Sequence, residues 1–448
     1  MAGAGPSTRR ALRVAVTLAA LLPVVLIVAV RAVHALGDPV LGAYGLSVLL
    51  ATMVVMYIAF AWYDDPSADA PSLDRLPLVS CMVAVKDDLR VIERCVASLL
   101  DSTYPRLEVI VVDDCSQDGT AELLERLAGR LPFTLLRMPA NVGKKRALTF
   151  AASRASGEVL AFTDSDCIVA PSAITQCVKA LDRHPGIGAV SGHARALNAD
   201  QNFLTRVQDA WYEGQFSVAK AAESCFGSVT CVSGPLAVFR RQAVYNYLPA
   251  WEADRFLGQE FRFATDRQLT GYVLGQQWVG RRLKARHPSS PFVAGHDHPE
   301  RRWRVEYVRS ARVLTNVPSS LRSVLRQQVR WKKSFIRNLF FTGTFFWRRG
   351  VMPAFLYYGH VLWVLAAPVL AFRHLVWLPA HGRWLPLVLY LCGVLFKGSI
   401  WAVAYKVQNP RSHRWVYRPL MSLLSSLLLS WLLWYSAATL RKGVWARG

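Results

Sequence analysis

At residues 158–168 the chain reads EVLAFTDSDCI, an apolar run that ends on Asp164-Ser165-Asp166. Side chains at i and i+2 of an extended segment point to the same side. Two such carboxylates supply hard oxygen ligands for a divalent cation and leave coordination positions free for a phosphate. By itself an Asp-x-Asp equally describes a solvated turn. Its setting narrows the choice: a second acid-ended run, VIVVDDCSQDGT, lies upstream at 109–120, and a basic GKKRAL run at 143–148 falls between the two.

The elements that must position these acids follow from the patterning. Apolar strand-like runs at 78–85 and 107–112 end on Lys86-Asp87-Asp88 and Asp113-Asp114, and a further strand falls at 134–137. Helical spacing occupies 91–100, 120–127 and 144–153. This alternation predicts an α/β domain with a parallel sheet and helices on both faces. Ligands of such sheets bind beyond the carboxyl ends of the strands, where Asp87, Asp113, Asp114, Asp164 and Asp166 all fall. A single strand-end Asp is often a helix N-cap, the role expected of Asp118.

That constellation fits sugar transfer from a nucleotide donor. An acid at Asp87, Asp113 or Asp114 can accept the imide N–H of uracil, while Lys144, Lys145 and Arg146 neutralise phosphate oxygens. Asp164 and Asp166 can hold Mg²⁺ or Mn²⁺ on the diphosphate and so stabilise UDP as it leaves. Inverting transfer also needs a base for the acceptor hydroxyl. The candidate is Asp266 in FATDRQLT, which also reads as a surface ion pair with its neighbour Arg267. In VTCVSGPLAVFRR, Ser233-Gly234-Pro235 forms a tight turn that can approach a sugar ring because glycine lacks a Cβ. In LRQQVRWKKSFIRN, Gln327, Arg330, Trp331 and Ser334 share adjoining turns of one helix. An indole beside a guanidinium suits a sugar platform next to a diphosphate, and equally an interfacial helix with Trp at headgroup depth.

The apolar residues, 53% of 448, concentrate at the two ends. Runs at 14–30 and 40–62 precede the acid-rich region, and runs at 351–372 and 384–405 follow it, the last interrupted by Lys397. Each is long enough to cross about 30 Å of hydrocarbon. Residues 14–30 are longer than the apolar stretch of a cleaved leader. Lys406, Arg411, Arg414 and Arg418 place the loop 406–418 in the cytoplasm, together with the arginine-rich N-terminus and hence the whole middle of the chain. A last apolar run at 420–440 is followed by Arg441, Lys442 and Arg447, which also belong in the cytoplasm. Both ends on one side require a re-entrant or interfacial helix pair. The predicted organisation is a membrane region at 1–65 with two spans, a cytoplasmic domain at 66–317, interfacial helices at 318–350, and a second membrane region at 351–448.

The net charge of +23 exceeds what topology needs, and basic clusters such as Arg281-Arg282 and Lys332-Lys333 suit lipid headgroups, a diphosphate or an acidic polymer. No nucleic-acid-binding motif is present, so nucleic acid is not expected as a partner. The 8 cysteines form no C-x-x-C pair and are expected as reduced thiols.

DDCSQDGT, DSD, TDRQLT and QQVRW, in this order, resemble the processive family-2 glycosyltransferases, which include cellulose, chitin and hyaluronan synthases. SCFGSVTCVSGPLAVFR at 224–240 is similar to the acceptor segment of hyaluronan synthases, and FLGQEFRFATDRQLT and LTNVPSSLRSVLRQQVRWKKSFIRN follow their pattern. The resemblance spans about residues 76–338. It implies a GT-A type domain in which Asp113 or Asp114 contacts uridine, and Asp164 and Asp166 handle diphosphate and metal. Asp266 is then the base, Gln327 and Arg330 hold the diphosphate, Trp331 closes over the site or acceptor, and Cys231 lines the acceptor pocket. ATLRKGVW at 438–445 resembles the gating loop of hyaluronan synthases, which implies Trp445 near the pocket. The chain departs from the pattern at Ala264 and Thr265, just before the base, and at Ala446-Arg447 after the gate.

The expected protein is a multi-pass cell-membrane enzyme with its catalytic domain in the cytoplasm. It would polymerise UDP-sugars by inversion into a β-linked polysaccharide and translocate the product, hyaluronan from UDP-N-acetylglucosamine and UDP-glucuronate being the first choice. A chitin-oligosaccharide synthase using UDP-N-acetylglucosamine alone is the alternative within the class. A transporter or scaffold with an inactive transferase fold is the alternative outside it, and the intact set of acids speaks against that.

Overall fold

The computed structural model describes residues 38–68, 73, 75–263 and 265–442. The apolar run 14–30, Ala264 and Trp445 lie outside them. The centre of the molecule is an eight-stranded sheet built from β1 (Val79–Val85), β2 (Leu107–Asp113), β3 (Thr134–Arg137), β4 (Val159–Asp164), β5 (Cys167–Val169), β6 (Ile187–Ala196), β7 (Ala237–Arg240) and, after a small hairpin β8/β9 (Arg255–Phe256 and Gln259–Glu260), β10 (Arg304–Thr315). Their order is β3-β2-β1-β4-β7-β6-β10-β5. Every residue of β1 is buried, and β4 is buried up to the half-exposed Asp164. Such unbroken apolar runs mark strands covered on both faces.

The sheet is mixed, which corrects the expectation of a parallel one. β1 pairs in parallel with β2 and β4, and β2 with β3, but β7 runs antiparallel between β4 and β6, and β5 antiparallel to β10. The cause is local. Ser233-Gly234-Pro235 closes a turn, with Leu236 N–H donating to Ser233 C=O at 3.2 Å. The chain then re-enters the sheet at the carboxyl end of β4, Ala237 opposite Phe162. An antiparallel β7 is what brings this turn to the edge where Asp164 emerges. Asp118 acts as a cap from one residue further out than expected. Its Oδ1 accepts Thr120 N–H at 3.0 Å, while Gly119, at φ 92°, is the residue at the helix start.

Three described helices are long and apolar enough to cross a membrane: Pro39–Ala61, Val351–Ala380 and Leu385–Gln408. They match the runs at 40–62, 351–372 and 384–405. Each is tied to the sheet domain at one end. Tyr63 OH donates to Tyr307 C=O at 2.9 Å on β10. Buried Arg349 donates to the carbonyls of Gly227 (2.7 Å) and Trp303 (2.8 Å), just before the second helix begins. Gln408 Nε2 reaches Ser217 C=O at 3.2 Å. At the opposite ends of the first two helices Arg373 pairs with Asp38 at 2.6 Å.

The stretch Arg414–Leu429 and Leu432–Ala438 forms a helix pair bent by 41°. Its first end lies against the sheet domain and its second against the helix Leu321–Thr342. At the first, Arg414 pairs at 2.7 Å with both Asp200 and Asp209. At the second, buried Lys333 donates to the carbonyls of Thr439 (2.5 Å) and Lys442 (2.7 Å). Asp209 is the hub of the first contact, since it also takes a two-pronged bond from Arg195 at 2.9 and 2.6 Å and accepts Ala196 N–H at 3.2 Å. Its side chain is 1% exposed, against 74% for Asp200.

Removing one partner from a buried ion network strands the other charges. Asp209→Asn is therefore expected to destabilise the folded protein by about 3–5 kcal/mol. Asp200→Asn breaks only a solvent-facing pair and should cost under about 1 kcal/mol. Thermal unfolding of the two variants in one detergent checks this; equal midpoints would contradict it.

Candidate active site

The acids predicted at the strand ends do converge. Asp87 follows β1 at φ +53°, a strained conformation for a residue with a side chain. It is held there by accepting Gln117 N–H at 2.7 Å and by donating its own N–H to Ser116 Oγ at 3.0 Å. Asp113 is buried at the end of β2 and accepts Ser116 N–H at 3.3 Å. Lys86 bridges the two loops through Cys115 C=O at 2.9 Å. The result is a fixed acidic pocket between the ends of β1 and β2.

Asp114 does different work. Its two oxygens accept Val142 N–H at 2.7 Å and Gly143 N–H at 2.9 Å, fixing the loop that launches the helix Lys144–Arg154. Burial pushes its pKa up, and those two amides oppose the shift. Lys144, the first residue of that helix, reaches across to pair with Asp164.

Lys145 does not join it. Its side chain is buried, with Nζ donating to Phe261 C=O (2.8 Å) and Gln268 Oε1 (2.7 Å) and lying 3.5 Å from Asp254. Burial lowers its pKa to about 8, against the pull of Asp254. The expectation of a phosphate contact is corrected here: Lys145 cements the segment before Asp266 to the sheet domain.

Asp164, Asp166 and Cys167 bring one ligand atom each within 4.8 Å of one another. The two half-exposed carboxylates fit a hard cation. The Cys167 thiol is fully buried and burial raises its pKa far above the ordinary value, so it is unsuited to that role.

The turn Ser233-Gly234-Pro235 lies against this edge. Thr163 Oγ1 donates to Pro235 C=O at 2.6 Å. A Cβ on Gly234 would stand 2.9 Å from Asp164 Oδ2. On its other side Gly234 N–H points to Asp266 Oδ2 at 3.3 Å. The Cys231 thiol meets the same oxygen at 3.5 Å, and burial, then Asp266, raises its pKa to about 12, which keeps it a donor. Asp266 occupies the first turn of the helix Thr265–Lys284, where the helix dipole favours a carboxylate. One glycine therefore separates the strand-end acid from the candidate base.

The helix Leu321–Thr342 closes the site from the side. Gln327 and Arg330 are half-buried on it. Burial and then Asp166 and Asp164 push the Tyr212 phenol up while Arg330 opposes them, so Tyr212 feels both the acids and that arginine. Trp331, 36% exposed, packs on Trp211 and Tyr212 with ring centres 5.7 and 6.4 Å away. Neither ring was singled out in the sequence; the helical spacing of AWYEG gives no sign that it faces the site. Lys333, two residues on, lies over the Phe263 ring at 5.7 Å and bonds the C-terminal segment as described above.

Residues 80–248 match the glycosyl transferase family 2 model. An N-acetylglucosaminyltransferase of Rhizobium meliloti is 31% identical over 352 residues, 76% of each chain. A hyaluronan synthase of Streptococcus pyogenes is 27% identical over 416 residues, 91% of each. Among solved structures, a mannosyltransferase from Pyrobaculum calidifontis in complex with GDP-Man and Mn²⁺ superposes with a TM-score of 0.54 at 21% identity, covering 86% of this chain and 96% of that one. The chain belongs to glycosyl transferase family 2. It is a membrane-associated glycosyltransferase with a GT-A-like domain, related to hyaluronan synthase and to rhizobial N-acetylglucosaminyltransferases.

The closeness of Gly234 to Asp164 yields a direct test. Gly234→Ala should push the Asp164 carboxylate aside while leaving the fold intact, since Gly234 has no positive φ. Misplacement on this scale costs about 10–100-fold in turnover. Wild-type turnover in a normally folded Gly234→Ala protein would show that Asp164 need not sit against this turn.

Proposed function

We propose that the protein is an inverting, processive glycosyltransferase that builds a β-linked polysaccharide from UDP-sugars on the cytoplasmic side of the membrane. The observation that carries this reading is the convergence of Asp164 and Asp266 on Gly234, one at its would-be Cβ and one at its N–H. A donor diphosphate on one side and an acceptor hydroxyl on the other would then meet across a single backbone unit.

In this reading Asp87 and Asp113 receive the uracil imide, and Asp114 keeps the 142–143 loop in place beside them. Asp164 and Asp166 would hold Mg²⁺ or Mn²⁺, which when bound neutralises charge on the departing UDP. Lys144 is free to exchange its carboxylate partner for phosphate oxygens, and Gln327 and Arg330 hold the diphosphate from the opposite side. Asp266 Oδ2 takes the proton of the acceptor hydroxyl. Ser233, Gly234, Pro235 and Cys231 line the acceptor side, and Trp331, braced by Trp211 and Tyr212, offers its exposed face to the sugar. Trp445 follows three residues after Lys442, close in sequence to the Lys333 contact, which supports a gate at the pocket.

The polymer is assigned as hyaluronan because similarity to the streptococcal synthase runs through 91% of both chains, membrane segments included. A chitin-oligosaccharide product is the second reading, favoured by the higher identity to the rhizobial N-acetylglucosaminyltransferase. Purified protein incubated with UDP-N-acetylglucosamine and UDP-glucuronate, singly and together, separates them. Polymer made only from the pair and digested by hyaluronidase is expected. Chitinase-sensitive product from UDP-N-acetylglucosamine alone would establish the second reading instead.

Asp266→Asn is expected to bind UDP-sugar normally and lose transfer by about 10²–10⁴-fold. Near-normal turnover at saturating donor would remove Asp266 from the base role. The bent helix pair is assigned as re-entrant, with its two ends on the cytoplasmic side. A cysteine replacing Leu440, in a background without the exposed Cys392, should resist a membrane-impermeant thiol reagent in intact cells. Rapid labelling from outside would mean a full crossing.

A further inference from the structure

Lys220 carries an ammonium group that none of the roles above uses. The helix Phe203–Gly214 widens into a π-helical turn at Gln215–Lys220 before resuming at Ala221–Cys225. Widened turns of this kind recur at functional sites. From the end of the turn Lys220 Nζ donates to Cys231 C=O at 2.7 Å, Ser233 Oγ at 2.5 Å and Ser191 Oγ at 3.0 Å, and it lies 4.4 Å from the centre of the Phe216 ring. An ammonium has three hydrogens, and all three are used on neutral oxygens. No carboxylate of the described residues forms an ion pair with it; Glu223 and Asp266 act on it from further away. Burial accordingly lowers its pKa.

Lys220 is half-buried, and a charge drawn partly out of water without a contacting counter-charge is costly. Three hydrogen bonds to uncharged groups offset part of that cost. They also fall at one place: two of the three oxygens belong to the Cys231–Ser233 stretch, immediately before Gly234. Ser233 Oγ accepts from Lys220, so its own proton is directed elsewhere. Among the described residues that proton meets no acceptor. The Ser233 N–H is meanwhile turned towards Ser191 Oγ at 3.3 Å. A hydroxyl that accepts from an ammonium is a better donor than a free one, because hydrogen bonds in a chain polarise each other.

We propose that Lys220 is a positioning residue for the acceptor. It fixes the turn through Cys231 and directs a polarised Ser233 hydroxyl to donate to the acceptor sugar, so that the sugar's reacting hydroxyl faces Asp266. This rests on the proposed transferase function, and it adds a donor subsite for a neutral sugar oxygen on the acceptor side of Gly234.

The test compares transfer into polymer with hydrolysis, in which water replaces the acceptor sugar. In Lys220→Met, donor binding, donor KM and UDP release to water are expected within about 2-fold of the native protein, while transfer falls by about 10-fold or more. Lys220→Arg, which retains the charge, should restore part of the loss. Ser233→Ala leaves Lys220 in place and removes a single oxygen, and it should show the same selective loss. The double variant Lys220→Met/Ser233→Ala should be no worse than the poorer single, since both act through one hydroxyl. Native transfer in folded Lys220→Met or in Ser233→Ala would overturn the proposal. So would parallel loss of hydrolysis and transfer in Lys220→Met alongside a fully active Ser233→Ala, which would make Lys220 purely structural. A native protein that releases no UDP from any UDP-sugar would overturn the transferase reading itself, and is distinguishable from both.

Discussion

The site depends on a close approach that only glycine permits. With a Cβ at position 234 the nearest Asp164 oxygen would stand 2.9 Å away, a distance that real Cβ contacts avoid. The backbone of Gly234 therefore touches both acids, a strand-end carboxylate where its Cβ would stand and a helix-start carboxylate at its N–H. Everything near it serves to hold that backbone still. Thr163 ties Pro235 to β4, Thr270 Oγ1 accepts Val232 N–H at 2.8 Å, and Lys220 holds the carbonyl of Cys231. Thr270 also donates to the carbonyl of Asp266, so the turn and the helix bearing Asp266 are fastened through a single side chain.

The antiparallel β7 follows from the same requirement. A parallel strand would leave its preceding loop at the amino end of the sheet, remote from Asp164. Reversing one strand places Ser233-Gly234-Pro235 at the carboxyl edge, at no loss of pairing to either neighbour. The membrane helices are then joined to this rigid body by hydrogen bonds and buried ion pairs at the domain surface. Tyr63, Arg349 and Gln408 each connect a different long helix to the sheet domain, while Asp209 and Lys333 hold the two ends of the bent helix pair. At the hub, Asp209 already takes two bonds from Arg195, and Arg414 at the start of the bent helix pair adds a third cationic contact that ties the pair to it.

Much of this was legible in the sequence, for physical reasons that differ by element. Strands β1, β2 and β4 are buried on both faces and announce themselves as unbroken apolar runs with acids at their ends. The described spans at 40–62, 351–372 and 384–405 are features of length and composition, which a sequence states outright. Asp164, Asp166 and Gly234 were readable because their chemistry is local: an i, i+2 pair and a residue without a Cβ. What failed or went unseen depends on tertiary placement. Lys145 neighbours Lys144 in sequence, but a helix turns successive side chains by about 100°, and that rotation sends one to Asp164 and the other into the interior. The reversal of β7 lies in how a turn is docked, and the alternating pattern of strands and helices is silent on it. Lys220 resembles an ordinary solvated lysine until the π-helical turn and the buried oxygens around it are seen. Tyr212 and Trp211 sit 119 and 120 residues before the tryptophan they brace, and nothing in their spacing points to it.

The central claim is that donor and acceptor meet across Gly234, and it is tested most directly by determining the structure with UDP and Mn²⁺ bound. Anomalous scattering from manganese between the Asp164 and Asp166 carboxylates, with the diphosphate reaching towards Arg330 and Asp266 left open on the far side of Gly234, is the expected result. Manganese bound away from the Asp164–Asp166 pair, or a diphosphate lying on the Asp266 side of the turn, would contradict it.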